Sequence, residues 1–278
     1  PVVSGFSLET ALLLLLVGAG VGAYGTLVGA GGGFVLTPVL LVLYPHDSAR
    51  TLTAISLFVV FFNASSGSAA YFRQRRVDWH SGIWFGLATL PGAVGGALLV
   101  AAVSRRVFDP LMAAGLAALA VWLVFGREGK GTAERRGSRR ELTDRAGHVY
   151  RYTVPVGRGV VYSTVVGFLS SFLGIGGGVI HVPLLVRALG FPVHVATATS
   201  HFVLAIMSGS ATVTHVLAGS FAHGHGLHRA IALSIGVIVG AQLGALLSSR
   251  IKGRVIEWLL AVGLAALSLR LILLAILD

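Results

Sequence analysis

The residues able to do chemistry in this chain sit where chemistry is expensive. Asn63, His181 and His201 fall inside long apolar runs, with hydroxyls around them at Thr53, Ser56, Ser66, Thr197 and Ser200. A helical Ser or Thr can satisfy its hydroxyl on the carbonyl one turn earlier. An amide or an imidazole cannot, and intramembrane polar groups of that kind face a cavity or mark a pathway. Thr197, Ser200 and His201 fall within one helical turn, nearly on one face. The middles of the apolar runs carry no Asp, Glu, Lys or Arg. A cation site would want carboxylates. Neutral donors remain, and these suit a small anion.

The second source of donors is the backbone. Gly29-Ala30-Gly31-Gly32-Gly33 precedes a short apolar segment that ends past Pro38, and Gly174-Ile175-Gly176-Gly177-Gly178 precedes another that contains Pro183. Glycine runs permit unusual dihedrals and leave backbone exposed. In a bilayer that is tolerated only against protein or a wet cavity. A helix that starts at such a break offers free N–H groups and partial positive charge to an oxyanion. The expected anion ligands are therefore Gly31, Gly32, Gly33, Asn63, Ser66, Gly176, Gly177, Gly178, Thr197, Ser200 and His201. His201 is also the candidate for proton coupling, because histidine titrates in the physiological range. Helix packing is the plainer use for the glycines.

Other chemistries fit less well. Neither cluster gives G-x-G-x-x-G, since Phe34 and Val179 occupy the last position, so no dinucleotide cofactor is expected. The chain has no cysteine, hence no thiolate site or thiol nucleophile. His223, His225 and His228 resemble a metal-binding run but read better as a solvated loop. No buried carboxylate stands behind the Ser/His pairs to orient a base. The expectation is no metal and no enzyme.

The elements that must position these groups are membrane helices. Of the 278 residues, 55% are hydrophobic and only 11% charged, with mean hydropathy +0.86. A soluble domain carries about 25% charged residues. The formal net charge of +11 sits between the apolar runs, so it serves membrane orientation rather than nucleic acid.

The chain repeats itself. Besides the glycine clusters, Gly22 pairs with Gly167, Thr53-Ala54-Ile55-Ser56 with Thr197-Ala198-Thr199-Ser200, and Ser66-Gly67-Ser68-Ala69 with Ser208-Gly209-Ser210-Ala211. Gly92 and Gly96 pair with Gly240 and Gly244, and residues 115–119 are identical to 263–267. Each half reads as five helical segments: 8–28, 32–43, 50–72, 81–103 and 109–125, then 158–173, 177–189, 194–218, 228–248 and 255–277. The fold class expected is an all-α polytopic membrane protein of two repeats. Residues 1–125 form the first, 126–156 a solvated linker and 157–278 the second. The second segments are short for a span of about 20 residues. If all ten cross, most Arg and Lys fall on the side of the linker, which is then cytoplasmic with both termini outside. Five crossings per half makes the repeat inverted. Paired helix breaks in such halves are the best sequence pointer to a transport site.

At these motifs the chain resembles the sulfite exporter TauE/SafE family. The residues concerned are the two Gly-x-Gly-Gly-Gly-x-x-x-x-Pro stretches, the Thr-Ala-x-Ser stretches, Pro91-Gly92-Ala93-x-x-Gly96 and Arg76-Val77-Asp78-Trp79. The likeness covers almost the whole chain outside the linker. It implies export of sulfite or an organosulfonate across the bacterial inner membrane by secondary transport. An anion channel on the same scaffold is the first alternative and a membrane metalloenzyme the second.

Overall fold

A computed structural model describes residues 7–125, 137–221 and 225–277, the side chains of 123–125, 268 and 270–277 aside. Its described residues form ten α-helices and one two-stranded sheet. The first half holds α1 (Leu8–Leu27), α2 (Gly33–Leu43), α3 (Ala49–Arg73), α4 (Trp79–Leu99) and α5 (Arg105–Phe125). The second holds α6 (Val156–Leu173), α7 (Gly178–Pro183, continued by a π-helical turn at Leu184–Ala188), α8 (Val193–Leu217), α9 (Gly226–Ser248) and α10 (Gly253–Leu277). Six helices are long and apolar enough to cross a membrane: α1, α3, α4 with its last 3₁₀ turn, α6, α8 and α9. Large apolar side chains stand exposed along them, among them Leu16, Trp84, Val239 and Leu243, as a lipid-facing surface requires. This is a multi-pass membrane protein.

Local chemistry sets the helix ends. The Ser7 and Ser48 hydroxyls accept from the N–H groups of Thr10 and Thr51, and Asp78 Oδ1 accepts from Ser81 N. Each satisfies a donor that a helix start leaves open. α5 begins one turn before the expected 109, because Arg105 Nε reaches Asp109 at 3.0 Å and closes the first turn. α2, with 11 residues, rises about 16 Å and so covers only half of a hydrocarbon core.

Glycine contacts fix how the helices lie. A Cβ on Gly18 or Gly22 of α1 would run into Leu233 or Val237 of α9, and one on Gly236, Gly240 or Gly244 of α9 into Leu15, Ala19 or Ala23 of α1. The paired numbers rise together, so α1 and α9 run parallel at backbone contact. α4 and α6 do the same, through Gly92 and Gly96 against Thr164 and Phe168, and Gly167 against Thr89. The first helix of each half thus packs on the fourth of the other, with matching glycines at matching places. Small residues allow that approach. At the centre α3 and α8 cross in opposite directions. Arg50 at the start of α3 bonds Ser220 and the Ala218 carbonyl at the end of α8, while Thr199 near the start of α8 accepts from Asp78 N just beyond α3.

The stretch expected as a plain linker contains a folded hairpin. Residues 126–136 lie outside the described residues, but β1 (Ser138–Thr143) and β2 (Val149–Val154) pair antiparallel, from Ser138 opposite Val154 to Thr143 opposite Val149. Their turn is built by Asp144 Oδ1, which accepts from Ala146 N and His148 N. Tyr152 and Val154 bury themselves with Phe85, Leu189 and Phe191. The Tyr152 hydroxyl donates to Asp78 Oδ2 at 3.0 Å. Burial and the Asp78 carboxylate push that phenol up, so it remains a donor. This hairpin marks one end of the helix bundle.

Candidate functional site

The two glycine loops meet each other at the centre of the molecule. In each, the first, third and fourth residues have positive φ: +78°, +74° and +79° at Gly29, Gly31 and Gly32, and +68°, +74° and +58° at Gly174, Gly176 and Gly177. Gly33 abuts the Ile175 backbone, with any Cβ only 2.7 Å from its carbonyl, and Gly178 abuts Gly29 and Ala30. Each loop also leans on the other half's third helix. Gly29 lies against Thr197 of α8, and Gly174 against Thr53 of α3.

Hydroxyls tie these loops down. Ser200 Oγ donates to the Gly29 carbonyl at 3.2 Å, and its repeat counterpart Ser56 donates to the Gly174 carbonyl at 2.7 Å. Thr37 Oγ1 gives Gly174 a second bond at 2.7 Å. Thr53 and Thr197 satisfy their own hydroxyls on Ala49 and Val193, one turn back. Their part in the site is to pack, through Cα and methyl, against a glycine.

The N–H groups divide in a way the glycine count does not reveal. Gly31 N is spent on Gly25 O at 3.1 Å, and Gly178 N on Gly176 O at 2.6 Å. Among the described residues, the N–H groups of Gly32, Gly33 and Phe34 make no protein hydrogen bond, nor do those of Gly176, Gly177 and Val179. Buried donors of this kind are rare and call for water or a ligand. Those of the first loop stand at the positive end of α2.

A side-chain cluster stands between α1, α3 and α8. Thr26 Oγ1 donates to Asn63 Oδ1 at 3.1 Å, and His201 Nε2 lies 3.1 Å from the same hydroxyl. With the Thr26 proton given to Asn63, the hydroxyl accepts from His201, so Nε2 carries the imidazole hydrogen. The Tyr71 hydroxyl donates to Thr26 O at 2.7 Å, and its ring meets the His201 ring edge-on at 5.5 Å. Thr26, Asn63 and His201 are each 0% exposed. Asn63 Nδ2 and His201 Nδ1 have no partner there. An unpaired buried polar atom costs about 1–3 kcal/mol.

Of the expected residues, the glycines, Asn63, Thr197, Ser200 and His201 come together as described. Ser66 does not. Its hydroxyl donates to Ile238 O at 2.8 Å, and Gln242 Nε2 bonds both its carbonyl and its hydroxyl, so it belongs to the α3–α9 seam. Thr26, Tyr71, Ser56, Thr37 and Gly67 were not among the expected site residues. Gly67 gives the His201 ring its room, since a Cβ there would be 2.5 Å from Cδ2. Gly67 and Ser56 carry a signal in the repeat; Thr26 stands at the end of a mostly apolar α1 and Tyr71 near the end of the polar α3, and nothing in the sequence singles either out. His181 lies apart from this cluster, buried on α7 with Nε2 3.0 Å from Ser163 Oγ.

Helices broken at glycines in two halves, meeting over buried and unspent donors, define a polytopic membrane protein of the transporter class. The chain belongs to the sulfite exporter TauE/SafE family, whose family model matches residues 14–271. It is 29% identical over 268 residues to the probable membrane transporter protein YunE of Bacillus subtilis, covering 94% of this chain and 97% of that one. It is 24% identical over 271 residues to a probable membrane transporter protein of Methanocaldococcus jannaschii, covering 94% and 95%. A probable membrane transporter protein of Xylella fastidiosa is 28% identical over 244 residues, covering 86% of each. No solved structure matches the chain.

Proposed function

We propose that this protein exports a small sulfur oxyanion, sulfite or an organosulfonate, across the bacterial inner membrane by alternating access. The observation that carries the reading is the set of buried, unspent donors with no carboxylate among them: backbone N–H groups in both glycine loops and Asn63 Nδ2. An anion supplies the acceptor these donors lack. The cluster is closed on every side here, so a substrate enters only when helices part. The two halves act as an inverted repeat, the first helix running toward the hairpin in one and away from it in the other. Rocking one half on the other opens the centre to either face. His201 takes up and releases the coupling proton.

The purified protein, reconstituted in liposomes, tests this with sulfite, sulfate, thiosulfate and sulfoacetate. Saturable flux of one of them, driven by its own gradient or by pH, is the expected result. Flux that never saturates would favour a channel, and failure to move or bind any of the four would end the oxyanion reading.

Orientation has its own test. The hairpin end carries Arg73, Arg75, Arg139, Arg140, Arg145 and Arg151, so it is the cytoplasmic end by charge, and both termini lie outside. At the other end Arg105 and Arg229 are occupied with Asp109 and Asp47. The chain is naturally free of cysteine. Single cysteines at Ser138, on the hairpin, and at His46, between α2 and α3, are both exposed. In intact cells an impermeant maleimide labels His46→Cys and spares Ser138→Cys. Labelling of both, or the reverse pattern, rejects the orientation.

A further inference from the structure

The hairpin has no part in the transport scheme, yet its turn holds a buried ion pair at the mouth of the bundle. Asp144 is 4% exposed. Its Oδ2 accepts from Arg76 Nε at 3.3 Å, Arg76 Nη2 at 3.1 Å and the Tyr150 hydroxyl at 3.4 Å, and its Oδ1 accepts from Ala146 N and His148 N. Burial alone would push this carboxyl up. The His148 and Ala146 N–H groups and the Arg76 guanidinium outweigh it and hold the carboxyl below the usual carboxylate range. It is therefore ionised at neutral pH.

Arg76 is the other half of the argument. It is 5% exposed, just beyond the last turn of α3, and its Nη1 is buried without a partner. A guanidinium in that position is costly unless an anion meets it. Its backbone N–H bonds the Tyr71 carbonyl, and the Tyr71 side chain reaches Thr26 at the polar centre. The cation thus stands at the hairpin end of the helices that hold the centre. The other charged and titratable groups around it are His148 on the turn, 3.4 Å from Asp144, His194 at the start of α8, and Asp78, which has Arg140 at 3.9 Å.

We propose that Arg76 is an anion-binding site at the hairpin-end mouth, and that Asp144 occupies it as an intramolecular stand-in for a small oxyanion. A carboxylate offers a guanidinium two oxygens in one edge, and sulfite, a sulfonate or sulfate offers the same edge. The incoming anion takes the guanidinium, including the unused Nη1, and Asp144 leaves with its turn. The rest of the hairpin stays docked, because Tyr152 and Val154 hold it through apolar contact and the Asp78 bond. The mouth is then opened by the solute at that face. Which oxyanion does this rests on the transport reading; the exchange of one anion for another at Arg76 does not.

Hydrogen–deuterium exchange on the purified full chain reads the turn directly. Ala146 and His148 amides are protected by Asp144, so their exchange reports its departure. Sulfite and sulfate are titrated separately against chloride at matched ionic strength. The expected result is a saturable rise of at least roughly fivefold in exchange at these amides with one of the oxyanions and not with chloride. Arg76→Gln removes the response, and Asp144→Asn shows fast exchange before any anion is added. An equal rise with chloride, or no rise with either oxyanion in the wild type, overturns the proposal, and that arm needs no variant to fold. Absence of sulfite flux in liposomes would sink the transport reading while leaving this titration intact.

Discussion

Alanine at Gly32 is expected to stop the proposed anion flux, and alanine at Gly177 to slow it roughly tenfold. Both backbones have positive φ, +79° and +58°, where an L side chain costs about 1–2 kcal/mol. The two differ in what the new Cβ would meet. At Gly32 it would sit 2.7 Å from Val21 Cγ1 and 3.0 Å from the Val21 carbonyl oxygen, which the α1 backbone holds in place. At Gly177 it would meet Met207 Cε and Sδ and Ser170 Oγ, all at 3.1 Å, and the end of a methionine can yield. Gly32 therefore moves its loop, and with it the free N–H groups of Gly32, Gly33 and Phe34, while Gly177 mostly repacks. A shift worth 1.4 kcal/mol at a binding step is tenfold in rate or affinity. Flux in liposomes is normalised to protein that elutes as a folded species. Gly20→Ala is the control, since nothing lies within 4 Å of a Cβ there. Both loop variants keeping wild-type flux and affinity would reduce the glycines to helix packing.

The features legible in the sequence are those that the repeat states twice. Ser56 and Ser200 occupy equal places, and each bonds the first glycine carbonyl of the opposite loop. Polar residues in apolar runs also announce themselves, as Asn63 and His201 do. Their partners do not. Thr26 is one hydroxyl near the end of a helix whose long middle, residues 11–23, is only Gly, Ala, Leu and Val, and Tyr71 reads as an interfacial aromatic near the end of α3. Only the tertiary crossing of α1, α3 and α8 makes them a cluster. Ser66 misleads because three residues turn a helix by about 300°, leaving it about 60° away from Asn63 and facing α9. The hairpin is hidden for a different reason. Its inward residues Leu142, Tyr150, Tyr152 and Val154 alternate with charges over only six-residue strands, and the composition of the surrounding loop masks that period.

His201→Gln is expected to uncouple transport from pH if His201 is the proposed proton carrier. The imidazole is buried, with Nε2 committed to Thr26 Oγ1 and Nδ1 open. A proton arriving at Nδ1 would make His201 a cation within the centre, among donors that otherwise carry no full charge. That charge favours the loaded state with an anion, and its loss favours release. Nothing in the repeat demands a histidine here, since the first half has Leu57 at the matching position. Glutamine can place an amide N–H near Nε2 and keep the Thr26 bond, but it takes up no proton at physiological pH. The surroundings accept its slimmer side chain, because Gly67 and the edge of Tyr71 already make room for a ring. Net flux driven by a pH gradient is expected to fall roughly tenfold or more, the size of effect that loss of a proton-transfer group brings. Exchange of labelled for unlabelled anion at equal pH, which needs no net proton movement, is expected to stay within about threefold of wild type, a change worth under 1 kcal/mol. Across acidic to neutral pH, the wild-type rate is expected to change with pH and the variant's to stay flat. The same rates and the same pH profile in both proteins would remove His201 from the coupling step and return it to the role of a hydrogen-bonded core residue beside Thr26.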